Sequence, residues 1–251
     1  SGLGLAQTVL GRKIYPRADF WEREIMILNE IVKKLKAAAN PKNVAGMARF
    51  GINTKGTLGV SMPEIRRFSR QIGKDHRLAQ ELWRTGIHEA KILASIIEDA
   101  EKIGKKEMER WARDFDSWDV CDQVCQNLFW RHKDAYKKCR HWGVKRGEYI
   151  RRAGFALMAC LAFKDKQVKD KKFIQFFPLI KKYATDERNF VKKAVNWALR
   201  QIGKRNRNLN KLAIGVAEDI LKNKRGNRAS RWVALGALKE LKGEAVQKRI
   251  T

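Results

Sequence analysis

The sequence predicts an all-α protein. Apolar residues recur at helical spacing through most of the 251 residues, strand-like alternation is scarce, and the four prolines punctuate the pattern instead of crowding into it. Pro41 follows the first long segment, Pro63 opens another, and only Pro178 falls inside one, where it predicts a kink.

Taken in order, apolar periodicity marks helices at about Phe20 to Ala39, Pro63 to Ile72, His76 to Arg84, Glu89 to Ile103 and Lys106 to Phe115. It continues at Trp118 to Trp130, Lys133 to Trp142, Glu148 to Phe163, Lys169 to Tyr183, Glu187 to Ile202, Leu209 to Asn223 and Arg228 to Leu241. From Ala153 to Phe163 no side chain is charged or polar, so that helix is buried nearly all round, and Arg151 and Arg152 at its start emerge where it meets solvent or a ligand. In the helix after Glu187, Val191, Ala194, Val195, Ala198 and Ile202 form the core stripe. Phe190, Lys193 and Trp197 form a second stripe beside it, an aromatic and cationic face suited to a nucleic-acid backbone and its sugars.

A longer rhythm overlies the helices. Glu148 to Ala153, Glu187 to Ala194 and Asn227 to Trp232 each open the second helix of a pair, with 41 residues from Arg152 to Lys193 and 38 from Lys193 to Arg231. That period fits a HEAT-like or armadillo-like helical-repeat solenoid, curved, with its second helices lining a basic concave groove. Residues 20–251 are read as one such domain, and residues 1–19 as an N-terminal extension or extra helix.

Lys and Arg number 55 against 27 Asp and Glu, a formal net charge of +28. With 44% hydrophobic residues the chain is not disordered, so the cations decorate a folded surface that calls for a polyanion, most simply nucleic-acid phosphates. Cys121, Cys125, Cys139 and Cys160 include no CxxC and read as reduced core thiols. No apolar stretch is long enough to span a bilayer and no signal peptide is evident, so an intracellular protein is expected. His76, His88, His132 and His141 are scattered and read as surface or boundary residues, without a triad or metal site.

The segment Asp116-Ser117-Trp118-Asp119-Val120-Cys121-Asp122 opens a helix. At about 100° per residue, Cys121, Val124, Cys125 and Leu128 form its apolar sector, with Trp118 and Asp122 together along the edge. Asp119 fits an ordinary first-turn acid. Asp122, a carboxylate beside the core, does not.

The chain resembles the DNA alkylation repair glycosylases of the AlkD type, built from HEAT-like repeats. The resemblance runs from about Asn40 to the last helix and is carried by Met47-Ala48-Arg49-Phe50, Pro63-Glu64-Ile65-Arg66-Arg67, Ser117 to Asp122, Arg151-Arg152-Ala153 and Lys192 to Arg200. It implies excision of N3- and N7-alkylated purines from duplex DNA without flipping the base into a protein cavity. It implies Asp122 as the catalytic carboxylate, Trp118 and Trp197 as indoles packed on the lesioned nucleotide, and Arg152 as a phosphate contact, with Arg151 its competitor. Phe50 falls where the family places an aromatic close to DNA. In such a groove Arg152 keeps Asp122 ionised while burial opposes it. Lys193 is read as a phosphate-binding lysine and not as a Schiff-base nucleophile. No metal or cofactor is implied, and nothing demands more than a monomer. The segment from Gly51 to Val60 departs from the family pattern and is read as a loop shaped by its glycines, facing DNA. Two other classes remain open: a noncatalytic DNA- or RNA-binding solenoid, and a scaffold for an acidic protein partner.

Overall fold

The computed structural model describes residues 8–9, 12–13, 18–223 and 226–250. Among them the helices are α1 (Ala18–Ala37), α2 (Pro41–Arg49), α3 (Met62–Ile72), α4 (His76–Arg84), α5 (His88–Ile97), α6 (Lys105–Arg113), α7 (Trp118–Asn127) and α8 (Ala135–Gly143). They continue with α9 (Glu148–Lys164), α10 (Lys171–Ile174), α11 (Phe177–Tyr183), α12 (Asn189–Gly203), α13 (Arg207–Asn223), α14 (Arg228–Leu241) and α15 (Glu244–Arg249). Two two-residue strands, β1 (Thr8–Val9) and β2 (Arg12–Lys13), pair antiparallel within the stretch read as an extension or extra helix. The rest of that reading, at residues 1–7, 10–11 and 14–17, lies outside the described residues.

The helices stack as pairs. One layer runs α3, α5, α7, α9, α12, α14, each packed on the next, and α4, α8, α11 and α13 back onto α5, α9, α12 and α14 from the other side. The fold is the all-α, HEAT-like helical repeat that the period predicts. Its register is visible in side-chain pairs: Arg200 on α12 reaches Glu240 on α14, 40 residues on, and Lys192 lies over the Trp232 ring at the same offset. One repeat earlier, Arg152 on α9 donates to the carbonyl of Phe190 on α12, 38 residues on.

The core is one continuous seam. Trp83 and Trp111 stack at 4.1 Å, and Phe115, Phe129 and Trp142 extend the aromatic chain from them. α9 is buried from Arg152 through Ala162. It approaches α8 so closely that a Cβ at Gly154 would lie 2.4 Å from the Gly143 nitrogen, which only glycine avoids.

Several boundaries differ from the sequence reading for identifiable reasons. The helix α2 was not expected. Its signals are local, since the Asn40 side chain accepts the N–H groups of Lys42 and Asn43 at 3.0 and 3.2 Å and Pro41 sits at the helix start, where a missing N–H has no consequence. No α2 residue is buried, so there is no apolar stripe for periodicity to detect. The helix expected over 89–103 stops at Ile97 because Glu98 is extended (φ −64°, ψ 142°) and directs its buried carboxylate to His76, Gln80 and the Asp99 N–H. Pro178 does not kink a helix. It stands in the first turn of α11, after the chain has broken from α10.

Candidate functional site

The site grows from the start of α7. Ser117 is extended (φ −149°, ψ 146°) and stands just before the helix, so Trp118 takes the first helical position and Asp122 follows one turn later on the same side. Asp122 is only 9% exposed. A carboxylate so placed needs a partner, and α9 supplies it: Arg152 Nε donates to Asp122 Oδ1 at 2.9 Å and Nη2 to Oδ2 at 2.7 Å. Nη1 of the same guanidinium donates to the Phe190 carbonyl at 2.5 Å. Above the pair lies the Trp118 indole, whose centroid is 5.7 Å from Arg152 Cζ.

Burial pushes the Asp122 carboxyl above the ordinary aspartate range, and the charge and hydrogen bonds of Arg152 offset that rise only in part. Both oxygens accept N–H hydrogens from a permanently charged fork, an arrangement that favours the carboxylate form. The bidentate geometry agrees with one expectation, that Arg152 is the cation beside Asp122. It corrects another. Arg152 does not emerge from α9: it is 5% exposed and committed to Asp122, since a buried carboxylate on the neighbouring helix draws the guanidinium inward.

Arg151, about 100° further round α9, faces elsewhere. It donates to Asp186 at 2.7 Å and lies over Tyr183 at 4.3 Å.

The Gly51 to Val60 segment crosses to this site. Trp118 Nε1 donates to the Phe50 carbonyl at 3.1 Å, and Gly51 (φ +71°) comes so near Phe190 that a Cβ there would be 2.8 Å from the ring tip. Phe50 and Gly51 thus bridge α7 to α12. The Phe50 ring itself is 72% exposed. The base of the loop is held by Glu89, which accepts the N–H groups of Leu58 and Gly59 at 2.9 and 2.6 Å.

The remaining predicted residues lie further along α12. Phe190 stacks on Tyr149 at 5.9 Å, Lys193 is exposed, and half-buried Trp197 packs against Phe163 at 6.3 Å. Asp122, Trp118 and Arg152 therefore form one cluster with the backbone of Phe50 and Phe190. Lys193 and Trp197 share its helix layer, and Arg151 is turned away.

Sequence reasoning missed what lies under the indole. A cleft of about 660 Å³ opens beside Trp118 and Asp122, walled by Met47, Ile52, Ile65 and Ile92, with Gln123 and Gln126 of α7 among its polar lining. His88 and Asp119 also line it. His88 and His132 are buried, not surface or boundary residues. The reason for His88 is its contact with Asp119 Oδ2 at 2.8 Å, while Ser117 Oγ donates to Oδ1 at 2.6 Å. Burial opposes the charge on Asp119, yet His88 and Ser117 hold its carboxyl below the ordinary range. Only the i, i+3 spacing of Gln123 and Gln126 hinted at a polar strip here.

All four cysteines are buried and unpaired, and burial pushes the Cys125 thiol up to about 11. Among the described residues no cluster is arranged to hold a metal ion, and no helix is long and apolar enough to cross a membrane.

Fold and site together define a helical-repeat protein with a buried carboxylate–guanidinium pair beneath an indole. Residues 31–241 match the model of the DNA alkylation repair enzyme family, and the chain belongs to that family. No curated protein matches it. It is similar in fold to a solved structure described as "a new family of proteins related to the HEAT-like repeat DNA glycosylases with affinity for branched DNA structures". The TM-score is 0.74 and the identity 18%, over 89% of this chain and 95% of that one.

Proposed function

We propose that this protein is a monofunctional DNA glycosylase that hydrolyses the N-glycosidic bond of N3- and N7-alkylated purines in duplex DNA. The observation that carries this reading is the buried Asp122 carboxyl held on both oxygens by Arg152 under the Trp118 indole. As a cationic base departs, the bonding electrons neutralise it, so no acid is required. Positive charge develops on the deoxyribose instead, and a fixed carboxylate and an indole face stabilise it. The second lone pairs of Asp122 can then orient the attacking water and accept its proton.

Arginine has five N–H donors, of which Arg152 uses one each at Nε, Nη1 and Nη2. Buried as it is, its part in this reading is to hold the Asp122 carboxyl in place. Trp197 and Lys193 extend the same layer and suit the adjoining nucleotides. Incubation with a duplex treated with a methylating agent, followed by mass spectrometry of released bases, tests the proposal. Free N3-methyladenine or N7-methylguanine is the expected product, and no release from the lesion-bearing duplex refutes it.

A second reading, noncatalytic DNA binding, is favoured by the occupation of both Asp122 oxygens by Arg152 and by the branched-DNA affinity in the description of the similar structure. The same experiment separates the two, because binding without base release belongs to the second.

A further inference from the structure

The helix α14 carries a surface stripe that the site above does not use. Arg228, Arg231, Trp232, Leu235 and Lys239 are all exposed and recur at spacings that place them on one side of the helix. The other side, including Ala229, Val233, Ala234, Ala237 and Leu241, is buried against α12 and α13. The core of this repeat therefore closes without the indole. Trp232 and Leu235 are each 45% exposed, and the contact of Trp232 is with a cation, Lys192 Nζ at 5.2 Å from the ring centroid.

Charge around the stripe is unbalanced. Further along α12, Arg200 and Lys204 share Glu240. By contrast Lys192, Arg228, Arg231 and Lys239 have no carboxylate partner among the described residues. Unneutralised cations around an exposed aromatic and aliphatic pair call for a ligand that is polyanionic and also has flat apolar faces. A paired duplex supplies only the first, because its base faces are stacked on one another. An unpaired strand supplies both, and stacking on an aromatic side chain tolerates any base.

We propose that the α14 face binds unpaired nucleotides of DNA, with Trp232 stacking on a base beside Leu235 and the surrounding cations holding the flanking phosphates. The inference rests on DNA as the ligand and not on chemistry at Asp122. It would let the protein engage a single-stranded segment adjoining the duplex on the central helices.

Fluorescence anisotropy of the full chain against a labelled blunt duplex, and against the same duplex with a single-stranded overhang, tests it. Trp232→Ala is expected to weaken overhang binding about tenfold and blunt-duplex binding by less than about twofold, and Trp232→Phe to recover most of the loss. Arg231→Gln should weaken both and reduce the salt slope by about one. A circular dichroism melt checks that each variant folds. Unchanged overhang affinity in Trp232→Ala, or equal loss on both DNAs, overturns the proposal. So does a Trp232→Ala defect confined to anionic phosphatidylserine vesicles. If the parent prefers the overhang through Trp232 yet releases no methylated base, the glycosylase reading fails and this one stands, and the reverse pattern rejects this one alone.

Discussion

Replacing Asp122 by Asn separates the structural role of the carboxylate from its chemical one. The substitution keeps volume and one acceptor but removes the charge and points an amide N–H at the Arg152 fork, whose Nε and Nη2 now reach the two oxygens at 2.9 and 2.7 Å. Removing one member of a buried ion pair costs about 3–5 kcal/mol. The retained acceptor recovers about 1–1.5 kcal/mol of that, leaving a net loss of roughly 1.5–4 kcal/mol. For a chain of this size each kcal/mol shifts the midpoint by about 2–4 °C, so a fall of roughly 3–16 °C is expected. Thermal melts at neutral pH read it. Single-turnover base release, measured well below both midpoints, reads the chemistry, where loss of a preorganised electrostatic group is expected to slow the reaction by about 10²–10³. A midpoint within about 1 °C of the parent would show that the bidentate pair is not what holds α7 to α9. A lowered midpoint with undiminished release would leave Asp122 a structural residue only.

Affinity for duplex DNA should fall steeply with salt, given a net charge of +28. If about six phosphates are contacted, the slope of log affinity against log salt is about −5, and a slope near zero would exclude a phosphate-tracking surface. Gly59→Ala places a Cβ 2.3 Å from the Asn40 carbonyl oxygen at a φ of +78°. The backbone conformation alone costs about 1–2 kcal/mol, so a midpoint lowered by several degrees is expected, and an unchanged melt would mean the loop on Glu89 is not rigidly seated. At Asp186 burial raises the carboxyl pKa, but hydrogen bonds from Arg188 and Arg151 outweigh it and hold the group below the ordinary range. A depressed acid stabilises the fold above its unfolded value of about 3.9 and loses that contribution as pH falls through the folded value. Asp186→Asn should therefore melt below the parent at pH 7, with the gap narrowing as pH falls below about 3.9, and a gap constant across that range contradicts the ion pairing.

The sequence by itself determined the helical architecture and its register. Apolar period alone locates α4 and α14 to the residue, and the similar opening strings of α9, α12 and α14 disclose the repeat, because each second helix must bury the same face against its neighbours. It also singled out Asp122, whose place beside Cys121 and Cys125 is unusual for an acid at helical spacing. Tertiary structure decided the rest. Periodicity cannot register α2, which buries nothing, or the turn at Glu98, whose carboxylate finds its partners 18 and 22 residues away. Nor can it say that Arg152 turns inward to Asp122 while its neighbour Arg151 turns to Asp186. Adjacent residues on a helix diverge by about 100°, and which of two arginines meets which carboxylate depends on how the next helices pack.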